Sequence, residues 1–241
     1  MTITSAPQRS DHPAQHRHLM PIVALIAALG LAMIGVALLV HGGGSSSPGV
    51  QGSGVPAAQT RAVPGFSSLD LAGSNNVTIV VGARQSVVVR ADSNLVDHVT
   101  TQVVAGTLVI GDTGNFTTRT PMSVDVSVPS LTALSLSGDG QISVTGVNAP
   151  QLTVTVSGSG LLSAAGTVTR LDVTISGDGQ AQLGQLTARD VQAVVSGSGL
   201  IQVTATASLD AAVPGSGSIV YSGNPSQVTT SVTGSGAITR G

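Results

Sequence analysis

The chain has 241 residues, a formal net charge of −2, and only 8% charged and 1% aromatic residues. Every basic residue is Arg, every acidic residue is Asp, and cysteine is absent. No basic surface is available to neutralise phosphates, so we expect no nucleic-acid partner. The lack of cysteine excludes disulfides and thiolate metal sites. With so few aromatic rings, the core has to be built from Val, Leu, Ile and Ala.

The first forty residues carry the pattern of a single membrane span. Residues 22–40 form an uncharged apolar run, IVALIAALGLAMIGVALLV, which at about 1.5 Å rise per residue spans the roughly 30 Å hydrocarbon layer. We predict a disordered cytoplasmic tail over 1–20 and a transmembrane α-helix over 21–40. A cleaved signal peptide is the alternative, although its apolar region is usually only about 7–15 residues long.

The distribution of arginine predicts the orientation of this span. Arg9 and Arg17 precede it, and the next arginine along the chain is Arg61. Because basic residues favour the cytoplasmic side of a membrane, we predict a single-pass protein of the cell membrane with a cytoplasmic N-terminus and an extracytoplasmic C-terminal domain. Residues 41–61 are rich in Gly, Ser and Pro and are predicted to form a flexible linker.

The remaining residues, 62–241, contain an internal repeat. A Ser-Gly-x-Gly element or a close variant recurs every 18 to 20 residues, starting at Ser137, Ser157, Ser176, Ser196, Pro214 and Thr233. Apolar and polar residues alternate on both sides of each copy, which is typical of β-strands. The inward positions predicted before the first two copies are Leu136, Leu134 and Thr132, then Val156, Val154 and Leu152.

The repeat predicts the fold class. One copy is too short to bury its apolar face, so the copies have to stack, with equivalent residues about 4.8 Å apart in neighbouring strands. We predict an all-β ectodomain, a parallel β-helix or β-solenoid, with irregular coils over 62–130 and Ser-Gly-x-Gly repeats over 131–241. The glycines fit sharp corners that need positive φ or a close approach of backbone. An antiparallel sandwich or barrel is the second choice.

Several segments resemble the head GIN domain family of putative auto-transporter adhesins. They are the Val-Pro-Gly-Phe run from Val63 to Leu71, the Asn-Asn-Val-Thr-Ile run at 75–79, the segment from Asn94 to the Gly-Thr-Leu-Val-Ile run at 106–110, and the Ser-Gly-x-Gly repeats. The similarity extends from about Val63 to Gly236. It implies an extracytoplasmic β-solenoid of adhesin type with no established enzymatic activity.

Charged residues in the repeats offer a candidate ligand site. Arg170 and Arg189 follow successive turns at the same distance and are predicted to stack near Asp172 and Asp190. Such a group is either a surface ion-pair cluster or a site for an anionic sugar. His98 is the only histidine of the predicted domain and has no nucleophile motif beside it. We therefore predict no catalytic residue, no cofactor and no metal site.

Two functions are consistent with these features. The first is a membrane-anchored, extracytoplasmic adhesin-like binding module that contacts envelope polysaccharide or a surface protein and is not an enzyme. The alternative is a structural or sensory envelope component that acts through self-association or a protein partner. A polysaccharide-active enzyme is a third hypothesis, and no catalytic constellation supports it.

Overall fold

The computed structural model describes residues 49–241, and these form seventeen β-strands and one turn of 3₁₀ helix at Val96–His98. In chain order the strands are β1 (Val50–Gln51), β2 (Pro56–Thr60), β3 (Ser68–Leu71), β4 (Asn76–Val81), β5 (Ser86–Asp92), β6 (Val99–Val104), β7 (Thr107–Asp112), β8 (Phe116–Thr117), β9 (Ser123–Val128), β10 (Ala133–Leu136), β11 (Gln141–Val156), β12 (Leu161–Ile175), β13 (Gln180–Val195), β14 (Leu200–Val213), β15 (Ser218–Gly223), β16 (Gln227–Val232) and β17 (Ala237–Arg240).

Parallel pairing between successive repeats builds the fold. The long strands β11, β12, β13 and β14 lie side by side, and β15, β16 and β17 continue the stack. The first part of each long strand follows one Ser-Gly-x-Gly turn, and its last part precedes the next turn. The described residues form a β-solenoid of about five turns. The predicted parallel β-helix is confirmed, and because pairing between repeats is parallel, the antiparallel sandwich or barrel is wrong.

The predicted inward ladders form the core. Leu152, Val154 and Val156 lie opposite Leu171, Val173 and Ile175 in the next coil, and all six are buried. The prediction for Thr132 is wrong. Thr132 is exposed, and Leu131 is buried in its place. Strand β10 begins only at Ala133, so the two-residue alternation counted back from the turn does not reach Thr132.

The Ser-Gly-x-Gly glycines are required by close stacking of the coils. A Cβ added to Gly158 would lie closer than 3.0 Å to the carbonyl oxygens of Gly138 and Ser137 in the preceding coil. A Cβ on Gly160 would meet the carbonyl oxygen of Gly140 in the same way. None of these glycines has the positive φ that favours glycine. Their role is therefore to let one turn lie directly on the turn below it.

Positive φ occurs at a second corner of the coil. Gly146, Gly166 and Gly223 have φ of 77°, 142° and 90°, a region that residues with a side chain rarely adopt. The repeat predicts positive φ or close approach at one and the same corner. Close approach occurs at both corners, because a Cβ on any of these three glycines would also lie closer than 3.0 Å to a carbonyl oxygen of the neighbouring coil. Positive φ distinguishes this second corner from the Ser-Gly-x-Gly corner.

Residues 62–130 also form coils, but their order in space differs from their order in the chain. Strand β3 pairs in parallel with β10 on one side and β7 on the other, and β4 lies between β11 and β9. Strands β5 and β6 pair antiparallel with β9 and β7. The coil of β7 and β9 is therefore farther from the repeats than the coil of β3 and β4, which precedes it in sequence.

Part of the predicted linker belongs to the folded domain. Within 41–61, β1 pairs with β8 and β2 pairs antiparallel with β5. We call residues 52–60 the N-terminal strap. The buried carboxylate of Asp92 accepts hydrogen bonds from the backbone N–H of Gly54 at 2.7 Å, Arg119 at 2.8 Å and Thr120 at 3.1 Å. A single acidic side chain thus joins the strap to β5 and to the loop before β9.

The predicted tail over 1–20 and transmembrane helix over 21–40 lie outside the described residues. Among residues 49–241, no helix has the length and apolar character needed to cross a membrane.

Candidate functional site

Two outward surfaces of the solenoid differ in charge. The outward side chains of the strands that precede each turn form a surface that we call the charged face. These strands are β3, β10, β16 and the last parts of β11 to β14. The outward side chains of the strands that follow each turn form a surface that we call the amide face. These strands are β4, β15, β17 and the first parts of β11 to β14. The charged face carries Asp70, Arg170, Asp172, Asp190 and Asp210.

Arg170 and Asp172 form the centre of the charged face. The Arg170 Nε donates to both carboxylate oxygens of Asp172, at 3.1 and 3.0 Å, and Nη2 lies 2.9 Å from Oδ1. Nη2 also donates to Gln192 Oε1 at 3.2 Å, and Gln151 Nε2 donates to Asp172 at 3.0 Å. The hydrogen bonds to Asp172 and its negative charge, with a contribution from the charge of Asp190, raise the pKa of Arg170. The guanidinium is thus engaged within the chain.

Asp190 lies opposite Arg170 in the next coil and has a different partner. Its Oδ1 accepts a hydrogen bond from the Ser208 hydroxyl at 2.7 Å. These residues, together with Gln192 and Asp210, border a depression of about 140 Å³. The structure therefore brings Arg170, Asp172 and Asp190 onto one surface, as the sequence predicted.

Arg189 does not stack on Arg170, and this part of the prediction is wrong. The strand register pairs Arg170 with Asp190, and Arg189 is exposed one position earlier. The register between β12 and β13 shifts between Ser163 and Gly166. Counting from the preceding turn ignores this shift, so the expected alignment of the two arginines is off by one residue.

The amide face carries no charged residue at its outward strand positions in β4, β11 to β15 and β17, and the exposed Asp139, in the turn before β11, borders it. One of its ladders consists of Gln141, Leu161, Gln180 and Leu200 in successive coils. The ladder beside it consists of Ser143, Ser163, Gln182 and Gln202. Amides, hydroxyls and leucine side chains thus alternate over this surface.

The glutamines of the amide face differ from its hydroxyls. The hydroxyls of Ser163 and Thr204 donate to the carbonyl oxygens of Ile142 and Gly184 in the preceding coils. Among residues 49–241, the side-chain amides of Gln141, Gln180, Gln182 and Gln202 make no hydrogen bond to protein, in contrast to Gln151 and Gln192 on the charged face. Two shallow depressions lie on the amide face. One, of about 300 Å³, runs beside the turns from Asn76 to Gln180, and the other, of about 310 Å³, extends from Ser143 to Gln202.

His98 has a local packing role. Its Nδ1 lies 2.8 Å from the carbonyl oxygen of Thr113, and its ring is tilted by 59° against Phe116 with 5.5 Å between the ring centroids. No group of three or more His, Asp, Glu or Cys side chains suited to a metal ion occurs within the part of the chain that the structure describes.

A family described as "putative auto-transporter adhesin, head GIN domain" matches residues 65–225, which is most of the chain. The chain belongs to the head GIN domain family. The resemblance noted in the sequence is therefore confirmed. None of the curated proteins is significantly similar to the chain in sequence.

Solved structures share the fold of this head GIN domain. A putative adhesin from Bacteroides fragilis superposes with a TM-score of 0.67 at 24% identity, covering 80% of this chain and 100% of the other. A putative lipid binding protein from Parabacteroides distasonis has a TM-score of 0.51 at 22% identity, also covering 80% of this chain and 100% of its own. At these identities the similarity establishes the fold.

The amide face of the head GIN domain is the feature that sequence reasoning missed. Its first ladder follows each Ser-Gly-x-Gly element directly, at Gln141, Leu161, Gln180 and Leu200. That regular position was a usable signal. The charge pattern of the sequence instead favours Arg170 and Asp172, which hydrogen-bond to each other and to neighbouring amides in the folded chain.

Proposed function

We propose that the chain is a membrane-anchored, extracytoplasmic binding module of adhesin type, which contacts envelope polysaccharide or a surface protein and performs no catalysis. Membership of the head GIN domain family supports the adhesin-like character. The observation that carries the proposal is the amide face, whose outward strand positions have no charged residue and whose glutamine side chains have no partner within residues 49–241. Solvated donors and acceptors on a rigid sheet can bind a ligand with little loss of conformational freedom.

Binding is tested by co-sedimentation of the full-length chain with isolated cell-envelope polysaccharide and with intact cells, over a series of salt concentrations. Saturable sedimentation is expected. Retained binding at high salt would point to neutral contacts, and a steep loss would point to ion pairs. If the folded chain sediments with neither material, the adhesin proposal is refuted.

The proposed localisation follows from the sequence of residues 1–61. The uncharged run at 22–40 would span the membrane, and Arg9 and Arg17 would remain in the cytoplasm. We expect the chain to pellet with membranes and to resist carbonate extraction. Protease added to intact cells should digest the head GIN domain and spare residues 1–20. Recovery of the whole chain in the soluble fraction would contradict this topology.

A second candidate is a structural or sensory envelope component that self-associates. The supporting observation is β16, which is exposed along its whole length and carries Val228 and Val232, each 44% exposed. Apolar side chains on an exposed strand favour pairing with another chain. Sedimentation velocity over a concentration series would show growing assemblies if this candidate is correct, and a single concentration-independent species would exclude it.

A further inference from the structure

We infer that the amide face is the ligand-binding surface and that its ligand is an uncharged, hydroxyl-rich glycan. This rests on the proposed function and specifies its ligand class. The first argument is the location of charge. Asp172, Asp190, Asp210 and Arg170 lie on the charged face, whereas the outward strand positions of the amide face have none. The face has no positive charge at these positions and is bordered by one acidic residue, Asp139 of the turn before β11, so it gives an anionic polymer no electrostatic advantage over a neutral one.

The second argument is the hydrogen-bonding capacity of the two faces. On the charged face, Gln151 and Gln192 hydrogen-bond to Asp172 and Arg170. On the amide face, the side chains of Gln141, Gln180 and Gln182 are exposed and have no acceptor or donor within the described part of the chain. Each amide offers two N–H donors and one carbonyl acceptor, and a sugar hydroxyl also both donates and accepts. The unpaired amide donors and acceptors of this face can therefore form hydrogen bonds with the hydroxyl groups of a sugar.

The third argument is the alternation along the solenoid axis. Gln141, Leu161, Gln180 and Leu200 follow one another in adjacent coils. Neighbouring strands lie about 4.8 Å apart, so equivalent glutamines are separated by about 10 Å with a leucine between them. A pyranose ring has polar edges and C–H faces. A glycan lying across the ladder could place hydroxyls on the amides and C–H groups on the half-buried leucines.

The composition of the face argues against a protein ligand. Buried centres of protein interfaces are enriched in aromatic residues, Met and Arg. The outward positions of the amide face between β4 and β17 contain none of these. Its depressions, of about 300 and 310 Å³, are lined mainly by Ser, Thr, Asn, Gln and Gly. A shallow polar surface of this kind is better suited to a hydrated polymer than to an apolar peptide anchor.

The test is affinity electrophoresis of the full-length chain in native gels containing dextran, mannan or galactan, with alginate as the anionic comparison. A polyoxyethylene detergent, which has no sugar headgroup, keeps the chain in solution. The probing variant combines Gln141→Ala, Gln180→Ala and Gln182→Ala. The control combines Gln59→Ala, Gln102→Ala and Gln227→Ala, which are also exposed glutamines but lie elsewhere. Gln180→Glu, which keeps the side-chain shape but replaces the N–H donors by a negative charge, is tested beside them and should also bind more weakly.

We expect at least one neutral polysaccharide to retard the chain, independently of salt. Each lost hydrogen bond should weaken binding a few-fold, so the probing variant should bind at least about tenfold more weakly and the control should bind as the parent does. Equal binding by the probing variant would overturn the inference. Retardation by alginate alone, or envelope binding that protease treatment of the envelope abolishes, would also overturn it while leaving the proposed function intact. Absence of binding to every polysaccharide and to whole envelope would refute both.

Discussion

Substitution of a turn glycine by alanine should destabilise the solenoid through a steric clash between two coils. The Cβ of Gly158→Ala would lie 2.8 Å from the Ser137 carbonyl oxygen and closer still to that of Gly138. These atoms belong to backbone that is itself hydrogen-bonded: the N–H of Ser157 donates to the Leu136 carbonyl at 3.0 Å. No rotation of a side chain can relieve the contact, so one turn has to move away from the other.

The cost can be estimated from this geometry. Overpacking a well-packed site costs about 1–3 kcal/mol. Separating the turns also stretches hydrogen bonds between the coils, including Ser157 N–H to Leu136 and Leu161 N–H to the Gly140 carbonyl at 3.1 Å. Each contributes about 1 kcal/mol. The expected loss is about 3–5 kcal/mol, which corresponds to a fall in Tm of roughly 6–20 °C for a domain of this size.

The assay is thermal unfolding of the full-length chain followed by circular dichroism in the β-sheet region. Gly184→Ala is the matched control, because its Cβ would meet nothing within 4 Å and its φ is not in the left-handed region. Its Tm should be unchanged or slightly higher, since alanine restricts the unfolded chain. Gly82→Ala should lie between the two, because only its φ of 93° opposes a side chain. If Gly158→Ala is as stable as Gly184→Ala, close stacking is not the reason for the repeated glycine.

Three further perturbations address the strap, the charged face and the core. Burial alone would raise the pKa of Asp92, but hydrogen bonds from backbone N–H groups outweigh burial and lower the pKa. The ionised Asp92 therefore stabilises the folded chain fully above about pH 3.9, the pKa of an unfolded Asp. This stabilisation is lost as the pH falls through the lower pKa of Asp92 in the folded chain. Hydrogen exchange of residues 52–60 should accelerate in that acidic range, and in Asp92→Asn also at neutral pH. Arg170→Ala should cost less than about 1 kcal/mol in urea unfolding, because the Arg170 side chain is 54% exposed. Leu152→Ala should cost about 2–5 kcal/mol because Leu152 is fully buried, whereas Val228→Ala should change stability by less than about 0.5 kcal/mol.

Each of these has a result that would contradict it. Unchanged exchange of residues 52–60 in Asp92→Asn would show that other contacts retain the strap. A loss of several kcal/mol in Arg170→Ala would mean that the charged face is a stabilising network. Equal effects of Leu152→Ala and Val228→Ala would show that the inward ladder does not carry the stability of the coils.

Much of the fold can be predicted from the sequence because the solenoid is repetitive. The recurring turns at Ser137 and Ser157 and the alternation through Leu152, Val154 and Val156 predict parallel stacking and identify the buried side chains. These features depend on contacts between a residue and its equivalent one repeat away. The period of the repeat predicts these contacts directly, because each pair of residues is separated by one repeat length.

Features that break the repeat were harder to infer. Arg189 does not lie opposite Arg170, although equal spacing from the turns predicts that it would, because the register shifts by one residue between Ser163 and Gly166. The Gly, Ser and Pro content of the N-terminal strap predicts a flexible linker, yet Asp92, 38 residues farther along the chain than Gly54, accepts a hydrogen bond from the Gly54 backbone. No local sequence pattern predicts a hydrogen bond between segments so far apart in the chain.

The sequence by itself determined the period of the repeat, the inward ladders, the family and the absence of a basic surface, since all four are properties of residue type and spacing. Only the tertiary structure decided which polar groups are free. Gln192 and Gln182 are equivalent as residue types and both lie on outward faces. Gln192 accepts a hydrogen bond from Arg170, whereas Gln182 stands among uncharged neighbours without a partner in the described chain. The number of hydrogen bonds that a side chain has left to offer a ligand depends on what folding places beside it.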